Sequence, residues 1–425
     1  MPKVELLSPA GSLRHLRYAF AYGADAVYAG LPRYSLRVRN NDFDLENLRL
    51  GIAEARSQGK KFYLAANVLP HNSKVATFVK DFAPIVEAGP DALIMADPGL
   101  ILLVRETWPE MPIHLSVQAN TMNYAAVRFW QRLGIERIIL SRELSLTEIA
   151  EIRQRCPDVE LEVFVHGALC IAYSGRCLLS GYFNRRDPNQ GTCTNACRWE
   201  YRVRPADTGM ARHPAADRTY LLEDPGRPGE YMPILEDEHG TYILNSKDLR
   251  AVEHVHELVA MGIDCLKIEG RTKSVYYVAR TAQVYRQALD DALAGRPFDA
   301  RLIGVLENLA NRGYTDGFYQ RHHSHEYQNY LQGASRSHRQ QFVGEVESYD
   351  PASGKAEVVV KNKLRRGDRI EWISPRGNRD QVVEHLEDLE GRALKEAPGA
   401  GWRVRIPVPE AGPHDLVARY LDGSP

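Results

Sequence analysis

A (β/α)8 TIM-like barrel, carrying a cysteine-rich insertion and followed by a small C-terminal β-barrel domain, is the α/β fold this sequence predicts. Three observations predict it. Short apolar runs alternate with amphipathic stretches through the first 271 residues, one glycine-led junction recurs between them, and the hydrophobic period changes to two from Gln341 onward. At 425 residues the chain is long enough for one large barrel and an appendage.

The apolar runs, in order, are VELLSPAG (4–11), AVYAG (26–30), FYLAANV (62–68), ALIMAD (92–97), IHLSVQAN (113–120), RIILSREL (137–144), LEVFVHG (161–167) and CLKIEG (265–270). Each reads as a strand buried on both faces. Most are separated by stretches of helical period, such as LENLRLGIAEARSQG and AAVRFWQRLG. Four junctions share one grammar: Gly23-Ala-Asp, Gly89-Pro-Asp, Gly134-Ile-Glu and Gly262-Ile-Asp. In each, glycine ends a helix in the left-handed conformation and the chain then enters a strand. The competing arrangement, an open doubly wound sheet, is disfavoured because no G-x-G-x-x-G opens a helix.

The expected barrel domain covers 1–295, with 170–240 as cysteine-rich insertion and lid; Pro, Gly and charge dominate 202–240. A long helix over 274–295 closes it, 296–340 is a connector, and 341–425 is the β-domain. That last domain reads FVGEVESYD, KAEVVVKNK, GDRIEWISPRG, WRVRIPVP and HDLVARYL as strands between turns. Its Lys361, Lys363, Arg365, Arg366 and Arg369 read either as contacts to RNA phosphates or as a solvated face.

Composition narrows the function classes. Apolar content of 44%, charged content of 26% and a net charge of −1 describe a soluble globular protein without global attraction to nucleic acid. No apolar stretch reaches the roughly 18 residues of a membrane span. The opening MPKVELLSPAG lacks the layout of a secretory signal. A cytoplasmic protein is expected, with neither membrane nor DNA as partner.

Chemistry concentrates in Cys170-x6-Cys177-x15-Cys193-x3-Cys197, four of the six cysteines of the chain. A disulfide framework does not suit a long chain without a secretory signal. Zinc usually asks for two tight C-x2–4-C hooks, and only Cys193/Cys197 makes one. An iron–sulfur site tolerates irregular spacing. Zinc and four small core residues stay open beside it. The segment also interleaves Arg176, Arg185, Arg186 and Arg198 with Tyr173, Tyr182, Phe183, Trp199 and Tyr201, a pattern suited to anions and unpaired bases.

Barrel chemistry sits at the C-terminal ends of the strands. Here those ends carry Asn67, Gln118, Arg142, Glu143, His166, Lys267, Glu269 and Arg271, and the cysteine segment leaves the seventh of them. Arg33, Arg37 and Arg39 follow the second strand on the same face, at a spacing that would clamp a dicarboxylate or a phosphodiester. Duller accounts exist for each. Arg142 and Glu143 would cap the next helix, His166 would bond a carbonyl, and Lys267, Glu269 and Arg271 would form an ion-pair ladder.

The run HGALC-x6-C-x15-C-x3-C-RWEY, the opening ELLSPAG, and the segments GADAVYAG and KIEGRTKS resemble the collagenase-like peptidase family of unassigned mechanism. Within it they look most like the prephenate-dependent, tRNA-hydroxylating members, over nearly the whole chain. The resemblance implies an iron–sulfur enzyme that hydroxylates C5 of the wobble uridine in the tRNA anticodon loop, giving 5-hydroxyuridine. It implies prephenate as co-substrate and a 4Fe-4S cluster on Cys170, Cys177, Cys193 and Cys197. On that reading Glu143, His166, Lys267 and Glu269 are catalytic, while Arg37, Arg39, Gln118, Arg142 and Arg271 bind substrate. Two other classes stand against it: a peptidase with a cysteine nucleophile paired to His166, and a cluster-bearing RNA-binding protein without catalysis. The chain has no H-E-x-x-H and no G-x-S-x-G, and one nucleophile would leave the other cysteines unexplained.

Overall fold

The computed structural model describes residues 4–36, 42–170, 173–174, 176–177, 180, 186–194, 247–311, 313–320 and 339–421, with the backbone of four short strands between 221 and 242. Eight parallel strands close into the expected barrel. In chain order they are β1 (Glu5–Pro9), β2 (Ala26–Gly30), β3 (Lys61–Ala66), β4 (Ala92–Met95), β5 (Ile113–Leu115), β6 (Arg137–Ile139), β7 (Glu160–Ala168) and β8 (Cys265–Ile268). Closure comes from β8, which pairs with β7 on one side and β1 on the other.

The repeated junction works as its sequence suggests. Gly23, Gly89, Gly134 and Gly262 all take positive φ, between 73° and 100°, where a side chain would be strained. The acid that follows does more than enter the strand. Carboxylates of Asp25, Asp91 and Asp264 accept from the backbone N–H of Leu6, Phe62 and Leu161 at 2.8–2.9 Å, stapling each helix end to a neighbouring strand. Helix starts are capped just as locally. Ser12, Asp44, Asp97, Asn123, Ser145 and Ser274 each accept from the N–H three residues on.

The strand β7 is nine residues long and overhangs the barrel. Its exposed edge is met by Asp248–Arg250, antiparallel, with Asp248 opposite Ala168; Tyr314–Thr315 then pairs with that short strand. The stretch expected as plain connector therefore supplies a strand to the barrel sheet, and also a helix, Arg301–Glu307. Strands of two or three residues are too short to show a period, so the sequence does not announce them. Inside the insertion, Leu221–Glu223 pairs with Tyr231–Pro233, and Leu235–Asp237 with Gly240–Tyr242.

The C-terminal domain is antiparallel β, as expected. Six strands pair in the order Arg379–Val382, Arg369–Ile373, Leu416–Tyr420, Gln340–Asp350, Lys355–Val360 and Arg403–Pro407. A side-chain bond from Gln381 Nε2 to Pro407 O, 2.8 Å, links the two outer strands. The domain is fastened to the barrel by buried polar contacts. Tyr22 donates to Ile373 O (2.8 Å), Tyr18 to Glu345 (3.0 Å), and Arg280 pairs with Glu371 at 2.9 Å. Its basic run is largely neutralised, since Lys363 and Arg365 meet Glu396 and Arg369 meets Asp380. At those three positions the solvated-face reading holds.

Candidate active site at the barrel mouth

Barrel interiors are usually filled by layers of branched aliphatic side chains. This one is not. Its lower layer holds Glu5, Tyr63, His114, Arg137, Glu162 and Cys265, all buried. Arg137 stands 2.6 Å from Glu5, 2.8 Å from Glu160 and 3.5 Å from Glu162, and Tyr63 donates to Glu5 at 2.8 Å. Burial opposes ionisation of Glu5, but Arg137, Lys61 and the Tyr63 hydroxyl outweigh it and hold the carboxyl below its ordinary range. Burial, then Arg137 and Lys267, push His114 far down, so its ring is neutral. Burial and Glu162 push the Cys265 thiol up.

Above this layer lies a cavity of about 110 Å³. Tyr28, Ala65, Ile94, Ile139, Phe164 and Lys267, one each from six strands, make its base. The βα loops add Asn67, Ser116, Gln118, Arg142, Glu269 and Arg271. Cys170, Cys177 and Cys193 complete the wall, with Tyr173, Ser174 and Asn189.

Local hydrogen bonds seat the cysteine segment there. Asn120, in the left-handed conformation at φ 50°, donates from Nδ2 to Ser174 O at 2.6 Å. Asn189 O accepts from Leu69 N (3.1 Å), Gln190 Nε2 donates to Leu69 O, and Asn189 Nδ2 reaches Cys177 O at 3.4 Å. Thr194 N donates to Ser180 Oγ at 2.9 Å, tying the two halves of the segment together.

Cations outnumber acids on the cavity wall. Lys267 Nζ is 2.8 Å from Glu162 Oε1 and 4.3 Å from the centre of the Tyr28 ring. Arg142 lies 3.8 Å from the Phe164 ring centre and 3.8 Å from Glu269 Oε2. Glu269 also accepts from Tyr28 at 3.1 Å, and burial together with that carboxylate keeps the Tyr28 phenol protonated. Arg271 donates to Ser35 Oγ and Leu36 O, both at 2.6 Å. A Cβ on Gly30 would collide with Ser35 Oγ and Arg271 Nη1, so only glycine leaves room for this clamp. Among the described residues, with Lys267 matched by Glu162 below, Arg142 and Arg271 against Glu269 still leave a surplus of positive charge, which favours an anionic ligand.

The expected site residues divide accordingly. Gln118, Arg142, Lys267, Glu269, Arg271, Cys170, Cys177 and Cys193 share the cavity. Arg37, Arg39 and Cys197 lie outside the described residues. Glu143 is turned to Ser141 and does not line the cavity. His166 does not line it either, for a reason visible in the register. Lys267 pairs with Phe164 and Ile268 with His166, so Val165 is an extra residue that breaks the inward–outward alternation. The His166 ring packs on Tyr277, Tyr285 and Tyr314, and burial lowers its pKa to about 3. Its Nδ1 faces the Tyr285 hydroxyl at 3.3 Å, and its Nε2 has no hydrogen-bond partner among the described residues. Tyr28 and Phe164 were not legible as cavity residues, because within an apolar strand they read as core.

Cys170, Cys177 and Cys193 supply soft sulfur donors on one wall, the right kind for a thiolate-bound cluster, which spans its ligands more widely than a single ion does. Among the described residues no three His, Cys, Asp or Glu stand close enough to hold one metal ion.

Comparison with known proteins gives the family. Residues 11–329 match peptidase family U32 and residues 338–419 its C-terminal domain, so the chain belongs to peptidase family U32. It is 60% identical over 440 residues to tRNA hydroxylation protein P of Escherichia coli, covering 99% of this chain and 96% of that one. The collagenase of Porphyromonas gingivalis is 28% identical over 436 residues, covering 98% and 97%. Among solved structures, the U32 peptidase Mk0906 superposes with a TM-score of 0.39 at 15% identity, over 64% of this chain and 94% of its own. No helix among the described residues is long and apolar enough to cross a membrane.

Proposed function

We propose that this chain is a tRNA-hydroxylating enzyme of the cytoplasm that adds oxygen at C5 of the wobble uridine in a prephenate-dependent reaction. One observation carries the reading: three cysteines and a surplus of cations line a single cavity at the barrel mouth, in a chain 60% identical to a tRNA hydroxylation protein. Cys170, Cys177, Cys193 and Cys197 would hold a 4Fe-4S cluster. When bound, it would supply electron transfer or Lewis-acid activation.

The residues of the chain do the positioning. Arg142 and Lys267 draw the carboxylates of prephenate, and Gln118 offers an amide beside them. Arg271, already engaged with Ser35 and Leu36, fixes the second βα loop against the mouth, with Arg37 and Arg39 following in sequence. Glu269 is the carboxylate that faces the cavity, and takes the role of base at the uridine ring. A wobble base sits in a single-stranded loop, so leaving its stack to enter the mouth costs little. Oxygen insertion removes two electrons from the base, so an oxygen donor and an electron acceptor are both required. The peptidase alternative needs a thiol beside a competent base, whereas His166 is walled in by tyrosines and held neutral.

The test is anaerobic purification, iron and sulfide analysis, and a tRNA assay with and without prephenate read by nucleoside mass spectrometry. Cluster iron and prephenate-dependent 5-hydroxyuridine are the expected results. Zinc in place of iron, or hydroxylation indifferent to prephenate, would overturn the corresponding part of the proposal.

A further inference from the structure

The base of the cavity and the closed charge layer beneath it meet at one contact, Lys267 to Glu162. Lys267 lines the cavity; Glu162 does not, being fully buried one layer down on β7. Around Glu162 the charges alternate along the barrel axis. Lys267 is above it at 2.8 Å, Arg137 beside it at 3.5 Å, and Arg137 is held in turn by Glu5 at 2.6 Å. Lys267 is therefore a largely buried ammonium at the cavity base, with a carboxylate partner on one side and the Tyr28 and Phe164 rings at 4.3 and 5.4 Å. A lysine with a flexible stem in such a place keeps a defined position only where a partner holds it.

We infer that Glu162 is a positioning residue: it anchors the Lys267 ammonium at the base of the cavity, where Lys267 is the innermost cation for a carboxylate of the small anionic co-substrate. This deepens the proposed function and rests on its claim that the cavity takes such an anion. Arg142 and Arg271 stand at the loops above, while Lys267 stands on the strand itself, so the three cations offer contacts at two depths. A ligand with two separated carboxylates meets that arrangement better than a ligand with one. The inference also makes a prediction opposite in sign to simple electrostatics. Removing a negative charge beneath an anion site should tighten binding if only the field counts. Removing the anchor of Lys267 should weaken it.

The experiment is calorimetric titration of the full chain, purified without oxygen, with prephenate and separately with malonate. The proteins are wild type, Glu162→Gln, Lys267→Met and the double variant, in which both buried charges are removed together and folding is the least disturbed. Each single variant should weaken anion binding by about tenfold or more, and the double variant should be no weaker than Lys267→Met alone, because Glu162 acts through Lys267. Glu162→Asp should recover part of the loss. Tighter or unchanged binding in Glu162→Gln, or losses that add in the double variant, would overturn the inference while leaving the proposed function standing. Wild type that binds malonate but not prephenate would remove prephenate from the proposed function and leave the inference to be judged on malonate. Wild type that binds neither would overturn both.

Discussion

The two layers of the barrel interior handle charge in opposite ways. Below, the buried Glu5 and Glu162 are matched by Arg137 and Lys267, with Lys61 and Glu160 joining the same contacts from the exposed rim. Above, Arg142 and Arg271 face the cavity beside the already paired Lys267, against the carboxylate of Glu269 among the described residues, with three cysteines alongside. Mutually paired charges stabilise position, whereas a surplus is an invitation to a ligand. The difference teaches where to look for chemistry in a barrel whose interior carries several charges: not where charges are buried, but where they fail to cancel.

The sharpest way to separate the layers is to remove one group from each. Cys177→Ala, in the upper layer, should abolish hydroxylation of tRNA while leaving the circular-dichroism spectrum and melting temperature near those of the wild type. Full activity in that variant would remove the cysteine wall from the reaction. Arg137→Leu, in the lower layer, leaves Glu5 without its buried cation and Glu162 with Lys267 alone, and should lose about 3–5 kcal/mol in denaturant unfolding. Arg142→Ala, its counterpart at the mouth, should lose less stability than Arg137→Leu but weaken prephenate binding by about tenfold. Equal stability losses for the two arginines would erase the contrast between the layers.

A smaller effect tests whether the lower layer is as dry as its contacts indicate. Folded His114 stays neutral well below its ordinary pKa, while an unfolded histidine takes up a proton below about pH 6.5. Protons then favour the unfolded chain, so stability falls with decreasing pH in that range by about 1.4 kcal/mol per pH unit. His166, lowered to about 3, adds a like contribution, so His114→Asn should reduce the slope between pH 6.5 and 5 by about 1.4 kcal/mol per pH unit without abolishing it, measured by urea midpoints. An unchanged slope would mean that water reaches the ring.

Much of this was legible in the sequence, and the limits are physical. The eight barrel strands were readable because a fully buried parallel strand is a run of apolar residues, and the four glycine junctions because positive φ leaves a compositional mark. The cysteine wall was readable from its spacing. The role expected of His166 was not sustained, because one extra residue at Val165 turns the side chain to the other face, and no sequence pattern announces a bulge. The polar lower layer escaped notice as a network, since Glu5, Arg137 and Glu162 come together only when the barrel closes.

The ends of the cysteine-rich excursion are paired with each other. The chain departs β7 at Ala168 and returns at Asp248, and these two residues sit opposite one another in the same antiparallel ladder. The excursion is thus a cassette with a fixed socket. Its entry and exit lie side by side, so the number of residues between them is set independently of the eight strands. Cargo of different size and chemistry would fit the socket without disturbing the eight strands beneath, so innovation in such a scaffold is a matter of exchanging the cassette rather than rebuilding the barrel.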